Sequence, residues 1–179
     1  MKKLPLVMAL GMTMVTGSVF AADQGHGTVT FKGEIIDAPC SITADSVDQT
    51  VDLGQISSSA LKAGGTSSPK SFSIKLEDCT FTTEQSVTAT FTGKAAAFDS
   101  TSSVLALSGT ASGAGVVITD DGSNKIKLGE ASTSYVINAN QTDAELLFAA
   151  YVQGATDNTA YPIVAGDFTS VANFTLAYQ

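Results

Sequence analysis

From Thr28 to the last residue, apolar and polar side chains alternate in short runs with a period of two. Val29, Phe31, Gly33 and Ile35 alternate with polar neighbours, and Phe72, Ile74 and Leu76 alternate with Ser73 and Lys75. Val87, Ala89 and Phe91 alternate with threonines, and Leu146, Phe148, Ala150 and Val152 share one face of residues 145–153. Phe174, Leu176 and Tyr178 close the chain against Thr175 and Ala177. Side chains of a strand point alternately to its two faces, so this period sends one face of each run into a core. Shorter apolar runs stand at 104–107, 116–118, 126–128 and 135–137. Turn-forming residues separate them, at Gly64-Gly65, 113–115, Asp121-Gly122, Asp157-Asn158 and 165–167. Residues 144–150 have helix-forming composition, but their surroundings favour a strand. Residues 57–70 read as a loop with one helical turn near Ala60 and Leu61. Many short strands joined by polar turns predict an all-β sandwich or barrel.

The first residues follow another logic. Lys2 and Lys3 precede an apolar stretch over 4–15, then small and polar residues, then Val19-Phe20-Ala21-Ala22. That is the order of a secretory signal peptide. The apolar run is short for a membrane span, which needs roughly 20 residues. Val19 and Ala21 suit the −3 and −1 positions, placing the cut after Ala21. A cut after Ala22 would put Phe20 at −3, a poorer fit.

Cleavage after Ala21 leaves 158 residues with seven lysines, no arginine and 17 acidic residues, a formal net charge of −10. That length suits one domain with a proper core. An acidic, arginine-free chain is poorly suited to nucleic acid, whose phosphates demand cationic neutralisation, and to anionic lipid. Two cysteines, Cys40 and Cys79, remain in an exported chain and read as a disulfide, with two unpaired thiols as the alternative.

Catalytic chemistry finds little here. The lone histidine, His26, sits between glycines near the expected mature N-terminus, where nothing would hold it against a partner. Serines 57–59 lack a second histidine to activate them. The carboxylate pairs Glu77-Asp78 and Asp120-Asp121 fall at strand ends and turns and are expected to be solvated. No motif for a metal, a cofactor, a phosphate loop or a small-molecule substrate is present.

Three features, taken in order, resemble one family. They are residues 27–42 (GTVTFKGEIIDAPCSI), residues 48–56 (DQTVDLGQI) followed by 72–79 (FSIKLEDC), and an ending with Gly166 fourteenth from the last residue and Tyr178 penultimate. Together they are similar to subunits of chaperone–usher fimbriae, such as P pili, type 1 fimbriae and the mannose-resistant Proteus-like group.

The resemblance implies an incomplete immunoglobulin-like β-sandwich, completed by a donor strand from a neighbouring subunit. It divides the chain into a signal peptide (1–21), an N-terminal donor-strand extension (22–36) and a pilin domain (37–179). Val29, Phe31, Gly33 and Ile35 would form the donor face, and Cys40 and Cys79 would match the family disulfide. Gly166, Phe174, Leu176 and Tyr178 would form the terminal strand recognised by the chaperone. Read without the resemblance, residues 27–36 are more simply an ordinary first strand of their own domain. Implied partners are identical subunits, a periplasmic chaperone, an outer-membrane usher, and adaptor or tip subunits. The implied function is a structural subunit of a cell-surface fimbrial rod supporting adhesion and biofilm formation. A minor adaptor of the same fimbria is the alternative. A receptor-binding adhesin fits less well, because 158 residues leave no room for a lectin domain.

Overall fold

The computed structural model describes residues 27–120 and 124–179. The expected signal peptide, the start of the extension with His26, and the Asp121-Gly122 turn lie outside them. The chain divides into two units, one ending at Ile35 and the other comprising Ile36–Gln179. In the first, residues 27–35 form no helix or strand and every residue is exposed. They are therefore not an ordinary first strand hydrogen-bonded into a sheet.

The second unit is a sandwich of antiparallel strands. Its larger sheet contains β1 (Ser41–Ile42), β2 (Lys70–Glu77), β4 (Leu105–Ala106), β6 (Ala114–Asp120), β7 (Asn124–Lys125) and β9 (Ala144–Gly154). Their order is β1-β2-β9-β6-β4, with β7 also on β6. The smaller sheet has the order β11-β3-β8, from β3 (Gln85–Thr92), β8 (Tyr135–Ile137) and β11 (Asn173–Tyr178). A two-stranded piece pairs β5 (Ser108–Gly109) with β10 (Phe168–Thr169). One helical turn, α1 (Ala44–Val47), and a 3-10 segment, Ser58–Gly64, complete the elements. The latter supplies the turn expected at Ala60-Leu61, and residues 144–154 are a strand despite their helical composition.

The two sheets bury their alternating faces against each other. Ile74, Leu76, Leu146, Phe148 and Val152 from one meet Val87, Ala89, Phe91 and Ile137 from the other. Phe91 stands edge-on to Phe148, with ring centroids 5.1 Å apart. Such aromatic pairs add about 0.5–1.5 kcal/mol to their area burial.

β6 is buried along its whole length, on both faces. Val116 and Ile118 enter the main core, while Val117 joins Ala96 and Val104 in a second cluster flanked by Phe98 and Tyr151. Double-sided burial explains why 116–118 is an unbroken apolar run and not an alternating one. It also corrects the expectation that Asp120 is solvated. Asp120 is only 3% exposed, and its carboxylate accepts a hydrogen bond from the Asn124 backbone N–H at 3.1 Å.

Candidate functional site: an open groove beside the terminal strand

β11 is the edge of its sheet. It pairs with β3 over six residues, Asn173 opposite Thr92 through Tyr178 opposite Val87, and among the described residues no strand lies on its other side. Phe174, Leu176 and Tyr178 all turn toward the core yet stay half-buried, and each packs on buried core residues. An inward side chain stays partly wet when the layer above it is missing.

That missing layer is a groove of about 1220 Å³ within the second unit. One wall is residues 46–56 and the other residues 163–174; the floor includes Phe72, Phe91, Leu105, Val116 and Val152. Within the first wall, residues 48–56 have no regular secondary structure and are tied to β2 by the Gln49 side-chain amide, which donates to the Ser73 carbonyl at 3.2 Å. Leu61 closes one end from the 3-10 segment and is buried.

Gly166 holds the second wall in place. A side chain there would collide with Thr110 Oγ1 and the Ala111 nitrogen. The close approach lets the Thr110 and Ala111 backbone N–H groups donate to the Asp167 carbonyl at 3.0 and 3.2 Å. The Asp167 N–H in turn donates to Thr110 Oγ1 at 3.0 Å. Gly166 thus welds the wall to the segment after β5, and both Gly166 and Phe174 line the groove. Leu176 and Tyr178 continue the same face beyond it, where Tyr178 meets the Phe81 ring at 5.8 Å. Burial raises the Tyr178 hydroxyl above its ordinary pKa.

Cys40 and Cys79 are bonded to each other. Cys40 directly precedes β1 and Cys79 closely follows β2, so the bridge fastens the paired ends of these strands, where Ser41 lies opposite Glu77. In the first unit, Val29, Phe31, Gly33 and Ile35 lie on one exposed stretch, with Phe31 90% exposed and Val29 75%. A side chain at Gly33 would meet nothing within 4 Å.

Sequence reasoning missed the groove floor. Phe91, Leu105 and Val116 read as ordinary core residues, and only the half-filled environment around them marks a vacancy. The signal for the first wall was residues 48–56, an apolar-polar stretch without its own strand partners. Among the described residues, no group of three or more His, Cys, Asp or Glu could hold a metal ion, and no helix is long and apolar enough to cross a membrane.

An immunoglobulin-like sandwich with one edge strand bare over an apolar groove is the architecture of a pilin. Comparison with known proteins agrees. The family model described as fimbrial protein matches residues 29–179. The chain is 51% identical to the major MR/P fimbria protein of Proteus mirabilis, covering 100% of this chain and 99% of that one. It is 53% identical to the fimbria A protein of Serratia marcescens, covering 98% and 96%. A subunit of a solved chaperone–usher pilus superposes with a TM-score of 0.72 at 32% identity, over 88% of this chain and 98% of that one. The P pilus rod subunit PapA does so with a TM-score of 0.67 at 29% identity, over 79% and 100%. The chain belongs to the fimbrial protein family and is a structural subunit of a cell-surface fimbria. That family is one of structural pilins, not a class of enzymes.

Proposed function

We propose that the subunit polymerises by strand donation. Residues 22–36 of one copy, freed by removal of 1–21, lie in the groove of the next and complete its sandwich. The observation that carries this reading is the bare edge of β11 over an apolar groove, in a chain that also holds an exposed alternating stretch. β-Strand addition fits both partners: backbone hydrogen bonds run along the edge while alternate side chains enter the groove. Val29, Phe31 and Ile35 are the side chains that enter, and Gly33 marks a close backbone approach. Burying the three stabilises the pair by roughly 5–9 kcal/mol before entropy costs. A whole domain is stable by only about 5–15 kcal/mol, so filling the groove weighs as much as folding.

The empty groove explains the rest of the pathway. An apolar slot beside an unpaired strand edge invites aggregation. A periplasmic chaperone covers it during export, recognising the terminal strand through Gly166, Phe174, Leu176 and Tyr178, and an outer-membrane usher oversees the exchange. Adaptor or tip subunits use the same contact at the filament end. Similarity to major fimbrial proteins over nearly the whole chain favours the rod subunit over the adaptor. The rod then supports adhesion and biofilm formation by carrying other subunits outward.

A synthetic peptide of residues 22–36, added to groove-open subunit, tests the reading. Uptake should raise the melting temperature, and a Phe31→Asp peptide should fail to do so. Equal stabilisation by both peptides would refute it.

A further inference from the structure

We propose that Lys32 of the donated strand pairs with Asp52 on the wall of the receiving groove, and that this pair fixes the register of donation. The proposal rests on the strand-donation reading above and names a side-chain contact within it.

The inward face alone leaves the register loose. Val29, Phe31, Gly33 and Ile35 still point inward when the strand slides by two residues, because side chains alternate with that period. Backbone hydrogen bonds along a bare edge are equally indifferent to such a slide. The outward residues are not interchangeable: they are Thr30, Lys32 and Glu34. Lys32 is the only lysine within residues 22–36, and it is exposed.

The receiving wall carries the opposite sign. Between Ser41 and Ile56 the only charged residues are Asp45, Asp48 and Asp52, all exposed. Of these, Asp52 alone stands in an alternating stretch. Val51, Leu53 and Ile56 are half-buried and line the groove, while Thr50, Asp52 and Gln55 are exposed. Asp52 Oδ1 accepts a hydrogen bond from the Gly54 N–H at 2.8 Å, and Gly54 has a φ of 71°. This turn takes up the extra residue between Leu53 and Ile56, as a glycine bulge does. It occupies Oδ1 and leaves Oδ2 without a partner among the described residues.

Direction and end-matching bring the two side chains together. Every strand pair in the sandwich is antiparallel, so a strand laid on the free edge of β11 has its C-terminal side beside Asn173. Tyr178, at the other end of β11, meets Phe81 close to the disulfide. The wall runs the same way as the incoming strand. It starts from Ile42, opposite Leu76 near the disulfide, and leads through Ile56 to Leu61 beside Gly154. Setting the last inward donor residue, Ile35, beside the last inward wall residue, Ile56, puts Gly33 beside Leu53 and Phe31 beside Val51. Lys32 then falls beside Asp52 on the rim, and Glu34 beside Gln55 and the uncharged bulge. On the other flank the outward residues of β11 are Asn173, Thr175 and Ala177, which carry no charge. A slide by two residues brings Glu34 or Thr30 against Asp52, replacing an attraction by a repulsion or by nothing. An exposed pair of this kind adds little affinity; its effect falls on register and on the rate of entry.

Two measurements on the mature subunit with its groove open test the pair. The first fills the groove with the 22–36 peptide and applies a zero-length carbodiimide, which joins amines to carboxylates in direct contact. Mass spectrometry should find Lys32 linked to Asp52. Links from Lys32 only to Asp45, Asp48 or Asp167, or no link from Lys32, overturn the proposal. The second compares uptake rates of wild-type and Lys32→Glu peptides. Wild-type acceptor should take up the Lys32→Glu peptide severalfold more slowly at low salt, with the gap narrowing at high salt. An Asp52→Asn acceptor keeps Oδ1 for the Gly54 N–H and loses only the charge, so it should narrow the gap at low salt as well. An Asp143→Asn acceptor, with the same charge change outside the groove lining, should leave the gap intact. Equal uptake of both peptides by wild-type acceptor, or a gap that Asp52→Asn leaves unchanged, overturns the proposal. Wild-type acceptor that takes up neither peptide overturns strand donation instead.

Discussion

The carbonyl of Leu61 lies so close to Gly154 that no side chain could stand between them. This contact seats the 3-10 segment on the end of β9 and holds Leu61 at the end of the groove. The Ala63 N–H donates to Asn158 Oδ1 at 2.7 Å, and the Asn158 amide donates to the Ala155 carbonyl at 2.7 Å, so the same junction is clamped twice. A Gly154→Ala substitution has to push the segment outward. Crowding of this kind costs about 1–3 kcal/mol. Thermal unfolding of the purified subunit should show that loss, and peptide uptake should weaken because the groove end is displaced. An unchanged melting temperature would show that the segment yields freely.

If strands are donated as proposed, Gly33 should be dispensable for the fold of its own subunit and critical where its strand enters a neighbour's groove. Its surroundings are open, so Gly33→Asn leaves the chaperone-bound subunit folded. Inside a neighbour's groove the added side chain obstructs the backbone approach. Electron microscopy of cells expressing only this variant should find few or short fimbriae, and filaments of normal length would count against the donor face.

Cys40→Ser removes a bridge between positions 39 residues apart. Chain-entropy estimates put the loss at about 4 kcal/mol, a large share of a domain's stability. Periplasmic subunit levels and the melting temperature should both fall, and neither moving would show the bridge to be dispensable.

Asp99 offers a test by pH. Partial burial alone would raise its carboxyl, but hydrogen bonds from the Thr101 side chain and the Thr101, Ser103 and Val104 backbones outweigh it and hold the pKa below the ordinary 3.8. The bonds anchor the loop over the small cluster of Ala96, Val104 and Val117. A depressed carboxyl adds stability above its unfolded pKa, and that stability disappears as pH falls through the folded value. Asp99→Asn should therefore cost about 1 kcal/mol at neutral pH, at the low end because the group is partly exposed. The deficit should shrink as pH drops below 3.8. A deficit that persists undiminished to pH 3 would mean the carboxylate charge is not what holds the loop.

The strands that face solvent on one side were legible from their alternation: β2, β3, β9 and β11 fall where period two places them. β6 left a weaker trace, because burial on both faces erases the alternation that marks a strand. The disulfide was legible from export and cysteine count. Asp120 was misjudged because a carboxylate at a strand end is usually wet, and only the fold shows the Asn124 amide waiting for it. The groove was the least legible part. Its floor is built from residues such as Phe91 and Val116 that belong equally to a closed core, and its walls at 48–56 and 163–172 have little periodicity. A cavity is a property of what fails to pack, and that cannot be read from side chains taken one strand at a time.

The disulfide beside β1 has a mechanical meaning. β1 is two residues long and holds to β2 through a single short register. If filaments form by the proposed strand donation, load arriving under tension through residues 36–39 would peel so small a strand away. The Cys40–Cys79 bridge passes the pull covalently into β2, and from there into the middle of the larger sheet. With a donated strand lying along β11, load at that junction would run along the strands, and their hydrogen bonds would resist together in shear instead of opening one at a time.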